Sequence, residues 1–224
     1  TVLTPRPVAL DPRSCTKAGT LETGCPLNYV VLRHPNGSRA KVYLHGATVA
    51  SYIDAEGYDW LQVRPDANLD GAGAIEGGLA PFFPQYGPDA LAFARAAEWS
   101  VQSATRSAVT LELRPSEASR AHWDKPFRCV CAVDLRAASL DVRFVVENTA
   151  GAGGEGFDFQ AALRSHVRVS GVDRASIRGD FQDKRYVDHL SRPPGAQATE
   201  RRTELYIGKP YDRVYPGVRN PVVK

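Results

Sequence analysis

Apolar and polar residues alternate along this chain over short stretches from position 29 onward, and turn residues bound each stretch at close spacing. The pattern predicts strands over 29–33, 39–44, 48–53, 60–63, 99–104, 109–114, 127–135 and 140–148, and further ones over 157–170, 175–178, 185–188 and 203–207. Helical periodicity is almost absent. Asn36-Gly37, inside His34-Pro35-Asn36-Gly37-Ser38, is a strong hairpin signal that joins the first two strands. Strands at this density predict an all-β fold, a large antiparallel β-sandwich.

Residues 1–28, rich in Pro, Thr and Gly, read as an N-terminal extension, and 29–224 as one sandwich domain, since no low-complexity linker interrupts the chain. Cys15 and Cys25 lie close enough in the extension to close a short loop as a disulfide, or to stand as free thiols. Cys129 and Cys131 flank Val130 within an apolar strand, where period two puts both on one face as buried thiols. No second Cys/His pair with ligand spacing stands nearby, so a zinc site is not expected.

A hydrophobic fraction of 43% and a charged fraction of 24% fit an ordinary globular chain. No apolar run approaches the roughly 20 residues of a membrane span, so the chain is not expected to span a membrane. The net charge of +3 is dispersed, and Arg201-Arg202 stands between Glu200 and Glu204, which argues against nucleic acid as a partner. The sequence starts at Thr1 and contains no Met, so a processed or omitted leading segment is expected.

Two motifs have plain local explanations. Asn36-Gly37-Ser38 fits a glycosylation acceptor but is accounted for by the turn. Gly151-Ala-Gly153-Gly154-Glu-Gly156 fits a dinucleotide fingerprint, yet Phe157-Asp158-Phe159-Gln160 alternates like a strand instead of opening a helix, so a hairpin loop is expected. Among the histidines, His34 falls in the first turn, His122 in a surface connection and His189 at a strand end. His45 precedes Gly46-Ala47 as a turn cap. His166 is the candidate for acid–base work. By alternation it shares a face with Arg164 and Arg168, a face that either lines a pocket for an anionic or polyhydroxyl ligand or is simply solvated.

Six segments occur in a recognisable order: Tyr43-Leu44-His45-Gly46-Ala47-Thr48-Val49-Ala50-Ser51-Tyr52, Ile75-Glu76-Gly77-Gly78-Leu79-Ala80-Pro81-Phe82-Phe83-Pro84-Gln85-Tyr86-Gly87, Phe93-Ala94-Arg95 with Trp99, Val146-Glu147-Asn148-Thr149, the 162–169 strand, and Tyr211-Asp212-Arg213-Val214-Tyr215. Together they resemble the aldose 1-epimerase family, nearest its glucose-6-phosphate 1-epimerase branch, which includes plant proteins labelled apospory-associated protein C. The resemblance implies a β-sandwich of the galactose mutarotase-like type that binds a hexose or hexose phosphate in a groove on one sheet. It also implies exchange of α and β anomers without a cofactor. A glutamate takes the proton of the anomeric hydroxyl and a histidine protonates the ring oxygen. A plant-like branch and a missing leading segment make an organelle the expected compartment, the chloroplast first, with the cytoplasm as the alternative.

Position by position, the resemblance implies a degenerate catalytic site. Glu76 stands where the family has the arginine of Ile-Arg-Gly-Gly, and Ala90, Leu91 and Ala92 stand where it has Gln-His-Gly. Arg164 occupies the place of the catalytic histidine, and an arginine is a poor proton donor. Arg95 and Asp212 match sugar-holding positions, and Arg164 is a further candidate for contact with substrate. The family's glutamate base lies beyond the Asp-Arg-Val-Tyr motif, C-terminal to Lys224, with several further strands. Either those residues follow and are omitted from this sequence, or the sandwich lacks its C-terminal strands and protein partners are expected to cover the edge. Two functions follow. One is a non-catalytic carbohydrate-binding protein or accessory subunit of a larger complex. The other is an active isomerase, a glucose-6-phosphate 1-epimerase with His166 as its acid.

Overall fold

Alternation builds the described part of this protein, and the strict case is the nine-residue strand Phe127–Leu135, in which Phe127, Cys129, Cys131, Val133 and Leu135 are buried and the intervening side chains are not. The computed structural model describes residues 27–86 and 92–218, together with the backbone of 16–17, 20–21 and 222–223. Its contacts divide into two compact units, Thr1–His166 and Val167–Lys224, each treated by itself below. The expected Cys15–Cys25 loop lies outside the described residues, within which β1 (Thr16–Lys17) and β2 (Thr20–Leu21) pair antiparallel.

In the first unit, β3 (Tyr29–Arg33), β4 (Arg39–Tyr43), β5 (Val49–Ile53), β6 (Leu79–Phe82) and β11 (Ala162–Ser165) form a five-stranded antiparallel sheet in the order β11-β6-β5-β4-β3. A four-stranded antiparallel sheet has the order β10-β9-β8-β7, from β7 (Ser100–Ala104), β8 (Ala108–Leu113), β9 (Phe127–Leu135) and β10 (Leu140–Asn148). Val30, Leu32, Val42 and Val49 of the first sheet and Val109, Leu111, Phe127 and Val133 of the second belong to one core, completed by Phe83 and Trp99. The all-β sandwich reading is thus borne out. The Asn36-Gly37 turn joins β3 to β4, with Gly37 at φ +96, and the Asn36 amide also donates to the Ala137 carbonyl at 2.7 Å. Cys129 and Cys131 are free, buried thiols, and burial pushes Cys131 up to about 12. Among the described residues no group of His, Cys, Asp and Glu is arranged to hold a metal, and no helix is long and apolar enough to cross a membrane.

Several strands differ from the sequence expectation. Residues 60–63 form no strand; Asp59 and Val63 make isolated bridges to Ile53 and Gly77. Only Ala162–Ser165 of the expected 157–170 strand is extended in a ladder. Phe157 and Phe159 instead join an aromatic cluster, with ring centroids 4.9 Å from Trp123 and 5.6 Å from Phe83. β6 was hidden by Pro81. It pairs with β5 only at Leu79 opposite Val49, which leaves the proline no ladder to break on that side. A short helix, α1 (Glu117–His122), is started by Ser116, whose side chain accepts from the Ser119 backbone N–H at 3.1 Å.

The second unit holds two three-stranded antiparallel sheets. One has the order β15-β12-β17, from β12 (Ser176–Arg178), β15 (Glu204–Tyr206) and β17 (Val222–Val223). The other has the order β14-β13-β16, from β13 (Arg185–Asp188), β14 (Ala196–Thr199) and β16 (Arg213–Val214). Among its described residues Ala175, Phe181 and Leu205 are the buried apolar ones, and Glu200 is buried as well.

Candidate functional site

The two sides of the five-stranded sheet are fixed by register. Leu79 lies opposite Val49, a core residue, so Leu79 faces the sandwich interior. Ala80 and Phe82 then face the other way by alternation, and Arg164, directly opposite Ala80, shares their face. This is the side on which Leu27, Tyr43 and Ile75 make a second, smaller apolar cluster.

Two glycines bring the charged residues of this face into place. At Gly77, with φ +113, a Cβ would lie 2.5 Å from the Gln62 carbonyl oxygen and the Val63 Cα, so only glycine lets the 62–64 segment approach. Arg64 donates its backbone N–H to the Glu76 carbonyl at 3.0 Å, which fixes Glu76 there. At Gly46, with φ +67, a Cβ would stand 2.2 Å from the Arg95 carbonyl oxygen. Gly46 N–H donates to the Ala97 carbonyl at 2.8 Å and the Trp99 indole N–H to the Ala94 carbonyl at 2.9 Å, so the 3-10 turn Phe93–Arg95 is clamped from both sides.

From that turn the Arg95 guanidinium donates to Glu76 Oε1 at 2.9 Å and lies 4.3 Å from the centre of the Phe82 ring. The Arg95 side chain is 6% exposed and that of Glu76 38%. Tyr86 packs on Phe82 with ring centroids 5.0 Å apart. Sequence reasoning took Glu76 only as a replacement for the arginine of the resembled family and Arg95 as a hand for sugar. Their pairing across 19 residues was not seen, although opposite charges at two replaced or retained site positions were the available signal.

The remaining candidates are placed as follows. Arg164 is exposed. His166 continues the ladder beyond Ser165: its N–H donates to the Gly78 carbonyl at 2.8 Å and its carbonyl accepts from Gln62 N–H at 2.9 Å. Its ring is half-buried, and Nδ1 is buried with no hydrogen-bond partner among the described residues. His45 is buried and its Nε2 is 2.7 Å from the Gly73 carbonyl, a tie between two loops that fits the capping reading and not a base. Ala90 and Leu91 lie outside the described residues.

Asp212 and Arg168 belong to the second unit. The Asp212 side chain is exposed and its backbone carbonyl accepts from His189 N–H at 2.8 Å. Beside it, Arg213 is fixed by the Asp188 carboxylate at 2.8 Å and lies 4.3 Å and 4.7 Å from the rings of Tyr186 and Tyr211. The Arg213 guanidinium holds the Asp188 carboxyl below the usual aspartate range.

No protein-family model matches the chain. It is similar to a Cenchrus ciliaris protein named "Putative glucose-6-phosphate 1-epimerase", with 26% identity over 212 residues that cover 88% of this chain and 63% of the relative. Among solved structures it superposes on "a putative mutarotase (YeaD)" from Salmonella typhimurium with a TM-score of 0.75 and 20% identity, over 88% of this chain and 66% of that one. Slr1438 from Synechocystis sp. PCC 6803 gives a TM-score of 0.71 and 15% identity, over 90% and 75%. The chain shares the fold of these mutarotase-like structures. It spans about 63% of the Cenchrus relative and 66% of the Salmonella protein. Within this mutarotase-like chain, the arginine expected to hold sugar is thus buried against a glutamate, and the strand position expected to carry a histidine holds an exposed arginine.

Proposed function

We propose that this mutarotase-like chain binds a hexose without interconverting its anomers. The observation that carries this reading is the Arg95–Glu76 pair. Arg95 is the retained sugar-site arginine of the first unit, and its guanidinium is already engaged by a carboxylate at 2.9 Å. The other supporting residue is Arg164, a permanent cation at the histidine position of the resembled family, which has no proton to give to a ring oxygen at neutral pH. The framework around them is retained: the glycines that seat Glu76 and Arg95, the Phe82–Tyr86 rings and the clamped 3-10 turn. Such a site keeps shape and acceptors for hydroxyls while its histidine position carries no acid.

A second reading, an active hexose or hexose-phosphate epimerase, is favoured by one observation. His166 Nδ1 is buried with no partner among the described residues, and a half-buried imidazole on a ladder-fixed backbone is a reasonable proton donor. Anomer exchange measured by NMR on glucose, galactose and glucose 6-phosphate separates the two. No acceleration over the spontaneous rate is expected, while saturable binding of a hexose is. Turnover well above background that disappears in His166→Ala would overturn the non-catalytic reading in favour of the second.

A further inference from the structure

We propose that Glu76 is the specificity-determining residue of this sugar site: as a resident counter-anion of Arg95, it makes the site select neutral hexoses and reject their phosphates. The inference rests on the hexose-binding reading above and names its ligand class. Arg95 is buried and its guanidinium holds the Glu76 carboxylate at 2.9 Å, so an incoming anion competes with that carboxylate for it. A displaced Glu76 would still be tethered nearby, because its backbone carbonyl accepts from Arg64 N–H at 3.0 Å and the Gly78 N–H two residues on donates to the Gln62 carbonyl at 2.8 Å. The phosphate would therefore meet an uncompensated carboxylate at the same corner.

What the pair does offer a ligand is an acceptor. Among the described residues Glu76 uses Oε1 for Arg95, and its side chain is 38% exposed, so the carboxylate keeps accepting capacity within reach of solvent. A carboxylate accepts from the hydroxyls of a sugar as readily as it repels a phosphate. Two other arginines border this corner without reversing its preference. Arg64 is engaged by Asp66 at 2.7 Å and 3.0 Å, and Arg164 is exposed, where solvent and salt screen its charge.

The experiment uses the intact protein, wild type and Glu76→Gln, with inorganic phosphate, glucose and glucose 6-phosphate as probes. Glu76→Gln keeps the shape and removes the resident anion, and Glu76→Ala serves as the second variant if the first does not fold. Inorganic phosphate is expected to raise the Tm of the variant but not of wild type, compared with chloride at equal ionic strength. The ratio of glucose 6-phosphate to glucose affinity is expected to rise on the order of tenfold in the variant. Equal phosphate response in both proteins, or wild type preferring glucose 6-phosphate to glucose, overturns the proposal. If neither sugar binds either protein, the hexose-binding reading fails by itself, and the phosphate arm still decides whether Glu76 guards Arg95.

Discussion

Two glutamates, each paired with arginine, show how differently the two units of this chain use the same side chains. Glu200, in the second unit, is 4% exposed at its side chain and fully engaged. Oε1 accepts from Arg202 Nε at 2.7 Å and from the backbone N–H groups of Arg201 and Arg202 at 3.0 and 3.2 Å. Oε2 accepts from the Arg202 guanidinium at 2.9 Å, the Tyr215 hydroxyl at 3.1 Å and Arg213 at 3.5 Å. The Arg202 hydrogen bonds are the main reason its carboxyl is pulled down to about 2. Glu76, by contrast, has one oxygen on one arginine, and its side chain is 38% exposed. A saturated carboxylate braces the chain. A half-used one remains available to a ligand.

The largest effect tests the brace. Glu200→Gln leaves the partly buried Arg213 and its Tyr186 and Tyr211 neighbours around a neutral amide, and is expected to destabilise the second unit by about 4 kcal/mol. Hydrogen exchange followed by mass spectrometry on peptides from 185–215 reads that loss locally. The pH dependence has a definite sign. The carboxyl sits at about 2 when folded against an ordinary 4.5, so its stabilisation is complete above about 4.5 and is lost as pH falls from there through 2. Glu204, which Arg178 also pulls down to about 2, acts in the same window, so the variant's acid profile should be flatter than wild type without becoming level. Equal acid sensitivity in both proteins would remove Glu200 from the role of brace.

A next, somewhat smaller effect tests the frame that seats the other glutamate's partner. Gly46→Ala forces a Cβ to within 2.2 Å of the Arg95 carbonyl oxygen at φ +67, and should cost about 3 kcal/mol in urea denaturation. Because the strain falls on the 3-10 turn that carries Arg95, hexose binding should weaken together with stability. A variant that is destabilised yet binds hexose as wild type does would detach Arg95 from the site.

Much of the fold was legible in the chain because its signals are local. β9 alternates without a break over nine residues, and Asn36-Gly37 announces its own hairpin. β6 was not legible: Pro81 argues against a strand unless one knows that β5 pairs with it at one residue only. Phe157 and Phe159 alternate as a strand would, and only the tertiary cluster around Phe83 and Trp123 draws them out of a ladder. The site divides in the same way. Motif order pointed to Arg95, Arg164 and Asp212, and alternation to a shared face for Arg164 and His166. The Glu76 contact was invisible because it joins segments brought together by two separate glycine approaches, at Gly46 and Gly77, neither of which leaves a periodic trace.

The smallest expected effect on stability is also the one that sharpens the comparison most. Glu76→Gln removes the charge from a carboxylate that is 38% exposed, and exposed or half-exposed pairs are worth little because water and salt screen them. Arg95, though buried, keeps its contact with the Phe82 ring, and the glutamine carbonyl can still accept from the guanidinium. The expected loss is below about 1 kcal/mol, measured by urea denaturation with the fluorescence of Trp99 and Trp123 as the signal. Against the loss of about 4 kcal/mol expected at Glu200, that difference would mark Glu76 as a group held for a ligand. Comparable losses at the two positions would mean that both carboxylates are braces, and that Glu76 has no special part in binding.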